Sequence, residues 1–147
     1  MGGRENIRKY RNRINCKNIH LVLGNHDVLL AKNFIYSDGL NVQDLFNTVN
    51  IRINKKIGKD HFIMDHYAMR TWDRAHYGSI MLHGHSHDNL IPYEKFLQIA
   101  DDNTLFKTGD FYKQMDVGLE SAVFLKGEWR PFHINEIREI MQNKNNL

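Results

Sequence analysis

Apolar residues fall along this chain in short bursts, and two of the bursts stop in the same way. Ile19, Leu21, Val22 and Leu23 run into Gly24-Asn25-His26-Asp27, and Ile80-Met81-Leu82 runs into His83-Gly84-His85-Ser86-His87. Such runs predict largely buried strands of a parallel sheet, a fold that places functional groups beyond the carboxyl ends of its strands. Gly24 lets the backbone turn sharply, so that Asn25 and His26 are presented instead of packed. Gly-Asn is also ordinary turn chemistry; the recurrence of the design at Gly84 is what points to a site.

The remaining pattern predicts the elements around these two strands. Ile7, Tyr10 and Ile14 share one face of residues 4–14, the spacing of an amphipathic helix that packs on a sheet. Val28 to Phe34 reads as a short helix or an irregular loop. Asn41 caps a second helix, with Val42, Leu45, Phe46 and Val49 in one stripe and Asp44 in its first turn. Ile51 and Ile53 alternate with polar neighbours, and His61 to His66 alternates again after Gly58-Lys59-Asp60, a hairpin that delivers Asp65-His66 to a strand end. Tyr67 to Ser79 lacks a clean period and is expected to cross the rim of the site. Past His87 the chain is polar, with a loop at Asp101-Asp102-Asn103. Lys113 to Gly118 predicts a strand and Ala122 to Leu125 another, closing through Lys126-Gly127-Glu128 in a hairpin to Trp129-Arg130-Pro131-Phe132, where Pro131 places the last strand at an edge. From Asn135 a final helix carries Ile137, Ile140 and Met141 on one face and frays into Asn143–Asn146. With no repeat, low-complexity segment or linker, residues 1–147 read as one α/β domain.

Composition adds bounds. The 147 residues are 41% hydrophobic and 25% charged, ordinary globular usage that supports a real core. The formal charge of +3 is concentrated at Arg4, Arg8, Lys9, Arg11, Arg13 and Lys17, which hints at a phosphate-bearing partner, although a solvated helix face is the simpler account. A nucleic-acid partner finds little support, because the interleaved aromatics of a strand-binding surface are missing from this segment. Cys16 is the single cysteine, so no intrachain disulfide forms and a reducing, cytoplasmic setting is expected. No run approaches the ~20 apolar residues of a membrane span, and none of the opening residues forms the apolar core of a signal peptide.

The candidate chemistry lies in the histidines. His66, His85 and His87 fall at predicted strand ends, and imidazoles two residues apart on an extended chain can point to the same side. Histidine nitrogens joined by an Asn oxygen suit zinc, iron or manganese better than calcium, and the lack of thiolates argues against a structural zinc knuckle. The alternative is a hydrogen-bonded surface turn of His83, His85 and His87. His83 lies just inside its strand and reads as a packing or supporting residue. His20 and His61 read as structural, while His76 and His133 stay unassigned.

Gly24-Asn25-His26-Asp27, Asp65-His66-Tyr67 and Gly84-His85-Ser86-His87 resemble, in order and spacing, the calcineurin-like metallophosphoesterases. Met115-Asp116-Val117-Gly118 with Trp129-Arg130-Pro131 is similar to the end of small bacterial and phage members. The resemblance implies a two-sheet α/β sandwich that hydrolyses phosphate esters at a dinuclear metal site built at strand ends. It implies that Asn25, His66 and His85 hold the second metal, that His87 reaches the first, and that His26 donates a proton or hydrogen bond to the leaving or bridging phosphate oxygen, with Asp27 fixing its orientation. The family's Asp-x-His and metal-bridging Gly-Asp are missing ahead of Gly24. Gly109-Asp110 has the letters of the second motif but follows the histidine cluster. The resemblance therefore implies the C-terminal two-thirds of a phosphoesterase domain, with one divalent metal (Mn, Fe or Zn) in place of two. Hydrolysis is doubtful in isolation, and a non-catalytic remnant that binds one metal or a phosphate is the alternative. It also implies a bare sheet edge open to the missing segment or to a second copy.

Overall fold

The computed structural model describes residues 4–87 and 113–144. Among the described residues the chain is mixed α/β with two sheets, and it divides into two compact units, Met1–Ile53 and Asn54–Leu147. The expected loop at Asp101-Asp102-Asn103, and Gly109-Asp110, lie outside the described residues.

In the first unit, helix α1 (Arg4–Arg13) leads to strand β1 (His20–Val22), helix α2 (Val28–Ala31), a single 3-10 turn at Val42–Leu45 and strand β2 (Thr48–Asn50). Ile7 is buried with Leu30, Tyr36 and Val42. Tyr10 and Ile14, expected on the same packed face, are about half exposed, which leaves Ile7 as the buried apolar residue of the three. Part of its basic face works within the unit: the Arg8 guanidinium lies 3.9 Å over the Tyr36 ring and pairs with Asp38, and Arg11 Nε donates to the Leu45 carbonyl at 2.7 Å.

Strand β1 pairs in parallel with β2, in the register His20 to Thr48. The expected burial of β1 is corrected, because His20 is exposed and Leu21 and Val22 are only half-buried in a sheet of two strands. The helix expected from Asn41 through Val49 is also corrected. Asn41 does cap a turn, its side chain accepting the Gln43 N–H at 2.9 Å. The chain then extends at Phe46, and Asn47 exchanges two hydrogen bonds with Ile19, which draws Val49 into β2. Ladder pairing thus overrides a helical stripe of modest propensity.

The second sheet runs β3 (Arg52–Ile57), β4 (Asp60–Asp65), β5 (Ile80–His83), β6 (Gln114–Asp116) in that spatial order. The expected hairpin forms β3 and β4: Gly58 at φ 65 and Lys59 connect adjacent strands, and so short a link joins only antiparallel neighbours. Strands β4, β5 and β6 are mutually parallel, as the apolar runs imply. Every residue of β5 is buried. Alternation sends Phe62, Ile80, Leu82 and Met115 to one face, against Ile137 and Met141 of the terminal helix, while Ile63 and Met81 meet Trp72 on the other. Trp72 Nε1 donates to Ser79 Oγ at 3.0 Å and so ties down the connection between β4 and β5.

The strand expected at Ala122–Leu125, and its hairpin to Trp129–Phe132, are overturned. Leu119–Lys126 is a helix, α3, buried through Ser121 and Ala122 and ended by Gly127 at φ 71, whose N–H donates to the Val123 carbonyl. Leu, Glu, Ala and Lys favour that helix more than Val123 and Phe124 oppose it. Pro131 is not an edge-strand residue; it sits just ahead of helix α4 (Ile134–Lys144). There Glu136 accepts the His133 N–H at 2.8 Å and pairs with Arg130, which holds its carboxyl down at about 2. No helix among the described residues is long and apolar enough to cross a membrane.

Candidate metal centre

The parallel strands of the second unit bring their carboxyl ends together. Strand β4 ends at buried Asp65, whose Oδ1 accepts the Tyr67 N–H at 3.0 Å and turns the chain at His66. Strand β5 ends at His83, and the N–H groups of Gly84 and His85 both donate to the His66 carbonyl, at 3.3 and 3.0 Å. That backbone clasp sets the two side chains face to edge. His66 Nε2 and His85 Nδ1 lie 2.9 Å apart, the rings meet at 69°, and Tyr67 packs against both.

A short step beyond, the neighbouring residues turn to β6 and α3. Ser86 Oγ donates to Asp116 Oδ2 at 3.1 Å, while Asp116 Oδ1 accepts the Gly118 N–H at 2.8 Å. Buried His83 places Nδ1 4.0 Å from the same Asp116 Oδ2, in keeping with a packing or supporting role. His87, in the left-handed region at φ 48, turns Nδ1 to Glu120 Oε1 at 2.9 Å. That hydrogen bond raises the His87 pKa above its usual value and lowers that of Glu120. Neither Asp116 nor Glu120 stood out in the sequence as a partner of the histidines; the position of Asp116 at a strand end, just before a glycine, is the signal that could have marked it.

In the first unit the Gly24 turn is closed locally. Asp27 Oδ2 accepts the Gly24 N–H at 2.9 Å, and the Asp27 N–H returns to the Gly24 carbonyl at 3.1 Å. Helix α2 starts at the next residue, and Asn25 and His26 stand exposed on the turn. The hydrogen bond from Gly24 to the Asp27 carboxylate thus fixes the turn itself.

Of the residues singled out from the sequence, the structure brings His66 and His85 together, sets His87 on Glu120, and places Asn25, His26 and Asp27 on one turn of the other unit. Among the described residues no group of three or more His, Cys, Asp or Glu side chains could hold a metal ion. Two converging imidazole nitrogens are nonetheless a partial donor set. With Zn–N bonds of about 2.0–2.1 Å, nitrogens sharing one tetrahedral zinc sit roughly 3.3 Å apart with both lone pairs aimed at the ion, so shared coordination would need both rings to turn out of the observed hydrogen-bonded contact. No family model matches the chain, and no curated protein or solved structure matches it either.

Proposed function

We propose that the chain is a calcineurin-like metallophosphoesterase of the small type, with the two-sheet sandwich fold of that family, and that by itself it binds one transition-metal ion. The observation that carries this reading is the 2.9 Å approach of His66 Nε2 and His85 Nδ1 at the ends of adjacent parallel strands. The donor chemistry favours zinc, iron or manganese. Asn25 is the third donor that the motif resemblance adds, and His87 the residue assigned to a second ion. A metal bound here would supply Lewis-acid polarisation of a phosphoryl oxygen. His26, exposed on its turn, is the proton or hydrogen-bond donor to the leaving oxygen, and Asp27 keeps that turn in shape. The Glu120 carboxylate on His87 Nδ1 is the kind of contact that orients a metal-ligating imidazole, which supports the part assigned to His87.

Calorimetric titration of the 147-residue chain with Zn²⁺ or Mn²⁺ tests the metal assignment. One ion should bind per chain, and His66→Ala and His85→Ala should each weaken it by about 10²-fold or more. Asn25→Ala should weaken it too. Binding should also fall on acidification, because protons compete for the same imidazole nitrogens. Two tight sites, or binding that His85→Ala leaves untouched, would sink the assignment. Assayed with Mn²⁺, this polypeptide should hydrolyse phosphate esters no faster than a metal-free control. Joining Asp-x-His and Gly-Asp segments upstream should raise the rate by about 10³ or more, because two-metal hydrolysis clamps the attacking and the leaving oxygen together.

A further inference from the structure

The opposite end of the same sheet carries the opposite chemistry. At the amino ends of β4, β5 and β6, a pocket of about 70 Å³ is lined by Lys59, Asp60, Lys113 and Arg138, with Ile80 and Met141 as its apolar floor. Strand β4 separates this end from the histidines by its own length, about 17 Å at ~3.3 Å per residue, so nothing in the pocket belongs to the candidate metal centre.

The charges in the pocket do not cancel. Arg138 Nε donates to Asp60 Oδ2 at 2.8 Å and its Nη2 to the Ile57 carbonyl at 3.0 Å, so this guanidinium is spent on Asp60 and on holding α4 to the hairpin turn. Among the described residues that line the pocket, the ammonium groups of Lys59 and Lys113 remain in excess. Lys113 is half-buried, and its Nζ meets the Gly78 carbonyl at a long 3.4 Å, which occupies one of its three N–H groups. Its approach depends on Gly78 lacking a side chain, since a Cβ there would stand 2.8 Å from Nζ. An ammonium at the mouth of a small pocket, with one weak protein acceptor, can exchange its water for an anion and gain charge-assisted hydrogen bonds.

Size narrows the anion. The pocket takes several waters but is far below the ~300 Å³ at which sites for drug-sized molecules begin. A single tetrahedral oxyanion fits, with two charges to match two lysines, and the exposed Gln142 amide lies at the rim. We propose that the pocket bounded by Lys59, Lys113 and Arg138 binds a phosphate group, either as the free ion or as the phosphate of a small monoester whose body lies outside.

The test uses the full chain in excess chelator, so that no metal-dependent binding contributes, with inorganic phosphate as the titrant, read by calorimetry and ³¹P line broadening. Saturable binding at one site is expected. Lys59→Gln and Lys113→Gln should each weaken it about tenfold, the loss of one charge-assisted contact, and raised salt should weaken it further. His85→Ala should leave it unchanged. Glycerol phosphate distinguishes the sources: equal affinity assigns the free ion, and tighter binding assigns a monoester. Absence of saturable binding overturns the proposal, as does binding that both lysine variants retain or that His85→Ala removes. Lys59 lies on an exposed turn, so Lys59→Gln keeps the test open should Lys113→Gln fail to fold, which far-UV circular dichroism reports. Metal titration reads the histidines and phosphate titration the lysines, so failure of either leaves the other standing.

Discussion

The Gly24 turn and the Gly84 turn begin from one sequence design and end in different structures. At Gly24 the closure is local: a carboxylate three residues on accepts the glycine N–H, and the chain goes straight into α2 with Asn25 and His26 outside. At Gly84 the closure is between strands: the N–H groups of Gly84 and His85 donate to the His66 carbonyl, and two imidazoles separated by residues 67–84 in sequence meet at 2.9 Å. A glycine after a strand specifies a place to turn. Only the pairing of a second strand specifies convergence, and convergence is what a metal requires. The first turn therefore leaves His26 exposed to solvent, and the second brings His66 and His85 together.

The largest effect that separates the two turns should be catalytic. With Asp-x-His and Gly-Asp segments joined upstream, His26→Ala should lower the rate of phosphate-ester hydrolysis by about 10²–10⁴, the range for a general acid or base, while metal content stays unchanged. Loss of metal together with rate would move His26 among the ligands and erase the distinction. Next is dependence on the core. Phe62, fully buried between β5 and α4, anchors the strand that carries His66. Phe62→Ala should cost about 3–5 kcal/mol in denaturant unfolding and weaken metal binding with it. Leu21→Ala, in half-buried β1, should cost only about 1 kcal/mol. Equal costs would show that both turns lean on equally deep cores.

A smaller effect tests local closure. Asp27→Ala removes the carboxylate that accepts the Gly24 N–H, and unfolding should detect a loss of roughly 1–2 kcal/mol. The smallest concerns His87. Its pKa is raised by the Glu120 hydrogen bond and charge, with a further contribution from Asp116, and that of Glu120 is lowered in return. A histidine with a raised folded pKa adds stability that is complete below its unfolded pKa and is lost as pH rises through the folded one. The lowered carboxylate adds stability that is present above its own unfolded pKa and is lost as pH falls through the folded one. The pair thus works in the window between the carboxylate and imidazole ranges. Glu120→Gln should bring the His87 titration, followed by NMR, down toward its ordinary position. An unmoved titration would show that His87 is not held by α3.

Much of this arrangement was legible in the residues. Alternation and turn chemistry located β3, β4, β5 and β6, and the glycine-and-histidine endings marked the carboxyl ends where His66 and His85 meet. What was hidden depended on partners distant in sequence. Val49 fits a helical stripe until Asn47 pairs with Ile19 and makes it part of a strand. Val123-Phe124-Leu125 resembles a strand if Gly127 is taken as a hairpin residue, and a helix once Gly127 is taken as its stop, which is how the chain uses it. Glu120 meets His87 from the first turn of that helix, a turn that a strand reading of this segment does not contain.

The parallel pairing of β4 with β5 also has a kinetic side. Parallel neighbours need a long crossover, and here residues 66–79 must close before Phe62 can stand opposite Ile80. Closing such a segment costs chain entropy before any contact repays it, which makes non-local parallel pairing slow. The imidazoles of His66 and His85 therefore meet only after the slow event of this sheet is over. A metal held by that pair would bind the finished sheet and not its precursors, slowing unfolding while leaving the rate of folding unchanged.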